Sequence, residues 1–280
     1  SKELKDEFLT PAISGDYVTS IAVSEHTGGS DVAALKTYAK KDGDDYIING
    51  QKMWITNATQ ADYFCTLLNT SDDKPHENKS LVIIPSNLPG VEVGEKIDKL
   101  GLRTSDTAPV YFDNVRIPMR YRIGEEGAGF SMQMQQFQEE RIFLAASALV
   151  ILDDCIEQTI SFCKERKAFG KRVLDNQAIQ FRLAELQIEI ESLRSLIYRA
   201  CEEFVSGKDM TYLASMAKFK CGKLIREVSD SCLQYWGGMG FTWENPLSKV
   251  YRDGRLMSIG GGTDEIMLSI ICKHLGMTKK

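Results

Sequence analysis

The chain has 280 residues, 43% hydrophobic and 26% charged, enough apolar sequence for one or two packed domains. A net charge of −5, with no Lys/Arg blocks, argues against nucleic acid or an anionic membrane as the main partner, so any phosphate site must be local. Seven cysteines without CxxC spacing read as reduced core thiols; three histidines (His26, His76, His274) without HExxH or a Cys/His cluster argue against a held metal or a Ser-His-Asp triad.

The chain opens at Ser1-Lys2-Glu3-Leu4 and soon enters strand-like sequence with no targeting segment in view, so its start reads as cut. From about residue 17 to 118, short β-branched or aromatic runs alternate with turn chemistry, at 17–23, 35–39, 46–48, 53–56, 63–68, 81–84, 91–97 and 110–112. That pattern predicts an antiparallel β domain. Asp42-Gly43 and Asn49-Gly50 supply the positive φ angles of two-residue hairpin turns. The polar stretch 70–79, which contains His76, predicts an exposed loop.

After a loop at 124–129 the period changes, and 130–275 reads as helical, interrupted at Phe169-Gly170, Ser206-Gly207, 237–246 and 260–262. Ile179, Leu183, Leu186, Ile190, Leu193, Ile197, then Cys201 or Phe204, alternate by four and three, as a seam packed on antiparallel neighbours does. The run 142–152, closed by Arg141 and Asp153-Asp154, is too short to span a bilayer and predicts a buried helix segment. The expected fold is α+β: an antiparallel β domain over 1–123, with a short lead-in, then a C-terminal four-helix-bundle domain over 124–280.

Five stretches carry candidate chemistry, each with a plainer structural alternative. Ala22-Val23-Ser24-Glu25-His26-Thr27-Gly28-Gly29-Ser30-Asp31 runs a strand into a loop of hydroxyl and backbone donors suited to a polar heterocycle, or is simply a Ser/Gly turn. Trp54-Ile55-Thr56-Asn57 ends a strand with a large flat side chain, whose usual place is a core. Arg166-Lys167-Ala168-Phe169-Gly170 sets a guanidinium near an aromatic at a helix break, for a phosphate and an adenine face, or as a basic helix cap. Gly260-Gly261-Gly262-Thr263 precedes a helix, where backbone N–H groups can touch a ligand without side-chain interference, or serves turn geometry alone. Gln234-Tyr235-Trp236-Gly237-Gly238-Met239-Gly240-Phe241 is a further glycine loop, or an interhelical turn.

Together these residues resemble the acyl-CoA dehydrogenase family over essentially the whole chain. One signature runs Ala22-Val23-Ser24-Glu25, Gly28-Gly29-Ser30-Asp31 and on to Ala34; the other runs Gln234, Gly237-Gly238, Gly240-Phe241, Glu244, Lys249, Asp253. The resemblance implies an N-terminal helical domain that is absent from this chain, then a middle β domain and a C-terminal four-helix domain, with FAD between these two and across a subunit interface. It implies dehydrogenation of an acyl-CoA to the trans-2-enoyl-CoA, a carboxylate taking the α-proton while the β-hydrogen passes as hydride to the flavin. Electron-transferring flavoprotein as acceptor, a homotetramer and the mitochondrial matrix are implied in the same way.

Many members carry the base in the loop at the position that is Gly261 here, and glycine does no acid–base work. A subgroup resembling isovaleryl-CoA and long-chain acyl-CoA dehydrogenases supplies it from a helix, in a Glu-Arg pair entering an apolar run, and Gln138-Glu139-Glu140-Arg141-Ile142 has that form. Glu140, directly before the arginine, is the expected base, with Glu139 about 100° away on the helix and solvated. The resemblance leaves Gly261 a backbone N–H for the thioester oxygen. It assigns Val23, Ser24, Trp54 and Thr56 to the flavin ring and Ser30 to a position near the substrate and cofactor. Arg166 and Phe169 go to the pyrophosphate and adenine, Gln177 to the cofactor, Gln234, Gly237 and Gly238 to contacts from a neighbouring subunit, Thr263 and Glu265 to the loop covering the flavin, and Arg141 to the CoA moiety. Gln138 stands where many relatives carry aspartate. The competing expectation is a non-catalytic flavin- or acyl-binding protein or scaffold.

Overall fold

The computed structural model describes residues 1–278, and the chain divides into two compact units. The first comprises Ser1–Lys99 and Arg103–Gln135. Its N-terminus is helical: α1 (Lys2–Leu4), a π-helical turn (Lys5–Leu9) and α2 (Thr10–Ser14), closed by Gly15 at φ +84°. So few residues carry no periodic signal; Leu4 and Phe8 dock on Tyr63 and Ile83, and tertiary packing makes the helix.

The sheet of this unit has eight strands: β1 (Thr19–Ala22), β2 (Tyr38–Asp42), β3 (Asp45–Thr56), β4 (Tyr63–Asn69), β5 (Lys79–Pro85), β6 (Val91–Val93), β7 (Thr107–Pro118) and β8 (Arg122–Ile123). Pairing is antiparallel except where β1 and one residue of β2 run parallel to β4. Asp42-Gly43 turns β2 into β3 as expected, with Gly43 at φ +61° and Asp42 paired to Asp45. Asn49-Gly50 does not turn the chain. It lies inside the continuous strand β3, where Thr37 backbone comes within 2.7 Å of where a Gly50 Cβ would stand, so the glycine answers a close approach. The expected strand at 35–39 is displaced to Tyr38–Asp42, after a 3-10 turn at Val32–Ala34, and the run 91–97 is a strand only to Val93. The stretch 70–79 is exposed in its middle but ends on Lys79, which is fully buried in β5. Tyr46, Ile48, Phe64, Leu68, Val82, Ile84, Val110 and Ile117 form the core.

The second unit comprises Leu100–Leu102 and the chain from Gln136 onward. It is built from α3 (Gly129–Glu165) from Gln136 on, α4 (Gln177–Val205), α5 (Thr211–Trp236), the short α6 (Pro246–Gly254) and α7 (Asp264–His274). The α4 seam buries Leu183, Leu186, Ile190, Leu193, Ile197 and Ala200, each large side chain contributing about 1.5–3 kcal/mol. Cys201 packs at the edge of that core and Phe204 is exposed, because the stripe drifts to Ala200 as 3.6-residue turns accumulate. Ile142, Ala145, Ala148, Leu149 and Leu152 of α3 join the same core. All seven cysteines are free thiols, and among the described residues no helix is long and apolar enough to cross a membrane and no metal-binding cluster forms.

Candidate active site

In the β unit the expected residues gather around a loop held by buried charge. Glu25 and Gly28 exchange two backbone bonds of 3.1 Å, closing a tight turn, and Glu25 accepts from the N–H groups of Lys36 (2.7 Å) and Thr37 (2.9 Å). The fully buried Lys52 ammonium donates to Glu25 Oε1 (3.0 Å), Val23 O (3.0 Å) and Leu67 O (2.7 Å). Ser24 is therefore fixed from both sides. Burial pushes Lys52 down to about 8 against the pull of Glu25. Burial raises Glu25, yet the Lys52 charge and the two N–H bonds outweigh it and hold the carboxyl below its usual range. A second ammonium, Lys79, donates to Ala33 O (2.7 Å), Pro75 O (2.8 Å) and Asn78 Oδ1 (3.0 Å), tying down the far end of the loop beyond Ser30. Ser30 itself is exposed.

Trp54 is not a core residue. It is 59% exposed at φ +65°, on a bulge where two residues of β3, Met53 and Trp54, face one of β7, Pro109, between Lys52 and Ile55. A bulky residue in left-handed backbone is uncommon, and the bulge aims its ring outward. Met53 N–H donates to Ser24 O at 2.8 Å, and Ser20 Oγ donates to Thr56 O, so Val23, Ser24, Trp54 and Thr56 occupy one neighbourhood. An apolar ring held open at conformational cost, beside hydroxyl and backbone donors, fits a flat polar heterocycle.

In the helical unit, Glu140 and Glu139 differ as neighbours about 100° apart on a helix must: Glu139 is exposed, Glu140 half-buried. Burial pushes the Glu140 carboxyl above its ordinary range, partly offset by a 2.5 Å hydrogen bond from Gln136 Nε2 and by the Arg141 charge. Arg141 is buried and donates through Nε to Gly261 O (3.2 Å) and through Nη1 to Gln138 Oε1 (3.1 Å). The buried Lys218 ammonium donates to Gly262 O. Two cations thus hold successive carbonyls of the loop, whose glycines sit at φ +68° (Gly261) and +99° (Gly262). A Cβ at Gly261 would lie 3.1 Å from Leu144 Cδ1. Leu144 is one helical turn beyond Glu140, so the room left by the absent side chain borders the stripe that carries the carboxylate. Thr263 Oγ1 caps α7 by accepting from Ile266 N–H, and Glu265 is exposed in its first turn.

The remaining expected residues of this unit lie on its surface. Arg166 precedes a small hairpin, β9 (Lys167–Ala168) and β10 (Lys171–Arg172), which replaces the simple helix break. Phe169 at its tip is fully exposed (103%) at φ +52°, followed by Gly170 at +78°. Gln177 starts α4, and Gln234, Gly237 and Gly238 close α5, all exposed, with open space around both glycines. Sequence reasoning missed Lys52, Lys79 and Lys218; only Lys52 had a signal, since alternation from Tyr46 through Ile48 puts it on the inward face.

This pairing of a bulged antiparallel sheet with a long-helix unit is the middle and C-terminal architecture of a flavoenzyme class. Residues 20–115 match the acyl-CoA dehydrogenase middle domain and residues 127–276 the acyl-CoA dehydrogenase C-terminal domain, and the chain belongs to that family. It is 36% identical over 98% of its length to the mitochondrial short/branched chain specific acyl-CoA dehydrogenase of Bos taurus and 37% over 98% to the mitochondrial short-chain specific enzyme of Rattus norvegicus. It spans 63% and 67% of those two proteins. Among solved structures, butyryl-CoA dehydrogenase from Megasphaera elsdenii superposes with a TM-score of 0.94 at 32% identity, over 98% of this chain and 72% of that one. The FAD complex of PigA superposes with a TM-score of 0.96 at 30% identity, over 99% and 72%.

Proposed function

We propose that the chain carries the FAD-binding and proton-abstracting machinery of an acyl-CoA dehydrogenase, with Glu140 as base. The observation that carries this reading is the half-buried Glu140 carboxyl, raised by burial, on the helical stripe that meets the side-chain-free position at Gly261. A carbon acid beside a thioester is weak, so a carboxylate out of water is the better match. Gly261 N–H is the proposed donor to the thioester oxygen, and Arg141 and Lys218, by holding the Gly261 and Gly262 carbonyls, keep that peptide from rotating. Arg141 is buried against the loop, so its proposed part is to support it as well as to approach the CoA moiety.

Val23, Ser24, Trp54 and Thr56 are proposed for the flavin ring, with Ser30, Thr263 and Glu265 at its margins. Exposed Arg166, Phe169, Gln177, Gln234, Gly237 and Gly238 are proposed for the pyrophosphate and adenine of FAD bound with a second copy of the chain. When bound, FAD supplies a two-electron oxidant. The names of the relatives support acyl-CoA substrates, electron-transferring flavoprotein as acceptor and a mitochondrial site, while a homotetramer is proposed from the family resemblance alone. A non-catalytic flavin- or acyl-binding role is the second reading, favoured by the glycine at position 261, which offers no carboxylate. Titrating FAD-loaded protein with short, branched and long acyl-CoAs under nitrogen separates the two: bleaching supports dehydrogenation, and colour that no thioester bleaches supports the binding role.

A further inference from the structure

The helical unit holds a cleft of about 640 Å³, within the range of ligand pockets, lined by α5, α6 and the turn after α6. Four cations face it: Lys223, Arg226, Arg252 and Arg255. The chain is negative overall, so this is a local excess and not a general surface property. Two carboxylates, Glu227 and Asp230, also line it, each one helical turn beyond a cation of α5, where ordinary i,i+4 pairs would neutralise the face. Those pairs are not made. Glu227 turns to Arg182 (2.6 Å), and Arg226 turns to Asp264 (3.3 Å) and Gly222 O (3.1 Å). Among the described residues Lys223, Arg255 and Asp230 form no ion pair.

Two of the cations are ordered in advance. The Arg252 guanidinium lies 3.9 Å from the Trp243 ring centroid and donates to Ser248 Oγ (3.2 Å), and Arg226 is held at the other wall, each keeping further N–H donors. Arginine forks match the paired oxygens of phosphate, and two exposed cations beside them can follow a second phosphate. Tyr251, 49% exposed, offers a flat ring, and the Asp230 carboxylate offers an acceptor for hydroxyl or amino donors.

We propose that this cleft binds a nucleoside diphosphate, separately from the FAD and acyl-CoA contacts described above. Calorimetric titration of the FAD-saturated chain with ADP tests it, with pyrophosphate, inorganic phosphate, adenosine and NaCl of matched ionic strength as comparisons. The expected result is saturable ADP binding with an unchanged flavin spectrum, competed by pyrophosphate, and weakened at least tenfold in Lys223→Gln/Arg255→Gln. Both of those residues are exposed, so the variant keeps its fold, checked by its melting curve. Absence of saturable binding, equal affinity in the variant, equal affinity for inorganic phosphate, suppression by NaCl alone to the same degree as by pyrophosphate, or displacement of flavin by ADP would each overturn the proposal.

Discussion

Removing the Lys52 ammonium should loosen the β unit where it holds the Ser24 loop. In Lys52→Met, Glu25 stays buried with two N–H donors but loses its paired ammonium, keeping only the longer-range charge of Lys79, and Val23 O and Leu67 O lose a donor each. Breaking one side of a buried pair costs about 3–5 kcal/mol, whereas removing both charges is far milder. Amides of β1, β3 and β4 that exchange by opening of this region should therefore exchange about 10²–10⁴-fold faster in Lys52→Met. In Lys52→Met/Glu25→Gln a large part of that loss should be recovered, giving a coupling of about 1–3 kcal/mol. Hydrogen exchange read by mass spectrometry reports it peptide by peptide. Less than about 1 kcal/mol of loss in the single variant, or strict additivity in the double, would refute a charge-held loop.

Gly262→Ala should cost about 2–4 kcal/mol, because φ +99° lies beyond the left-handed well and the new Cβ would stand 2.7 Å from Met267 Cε. Gly261→Ala, at φ +68° and 3.1 Å from Leu144 Cδ1, should cost less, about 1–2 kcal/mol, and thermal melts of both check the order. Phe169→Ala should weaken FAD binding by the roughly 1–3 kcal/mol of a base–aromatic stack without moving the melting curve of the apo chain, as equilibrium dialysis would show. The acid limb of kcat/KM should lie above the ordinary carboxyl value of 4.5, with activity lost as pH falls through the raised Glu140 pKa. The same upward shift means that the protonated form suits the fold: its stabilising contribution is complete below the unfolded pKa and lost as pH rises through the folded one. Glu140→Gln should accordingly melt no lower than the parent at neutral pH.

Most of the fold was legible in apolar periodicity. The α4 seam and the short alternating runs of the sheet both follow from burying one face of an element. Asn49-Gly50 was misread because a glycine demanded by close approach to Thr37 has the same spelling as one demanded by a turn. The N-terminal helical segment was missed because Leu4 and Phe8 acquire their partners only through Tyr63 and Ile83, far along the chain. At the candidate site the ligand-facing residues were legible through the family signature, while the groups beneath them were not. Trp54 reads as a core residue until the bulge between Lys52 and Ile55 turns it out. Lys79 and Lys218 look like surface lysines, and only the folded chain supplies the carbonyls that cage them.

The central claim is that the Glu140 carboxylate takes the substrate proton. Anaerobic rapid mixing of FAD-loaded Glu140→Gln with the acyl-CoA that best bleaches the parent protein measures that step directly. Reduction slower by about 10²–10⁴-fold, with FAD and thioester still bound, is the predicted result. Bleaching at close to the parental rate would contradict the claim and return the search for the base to other carboxylates.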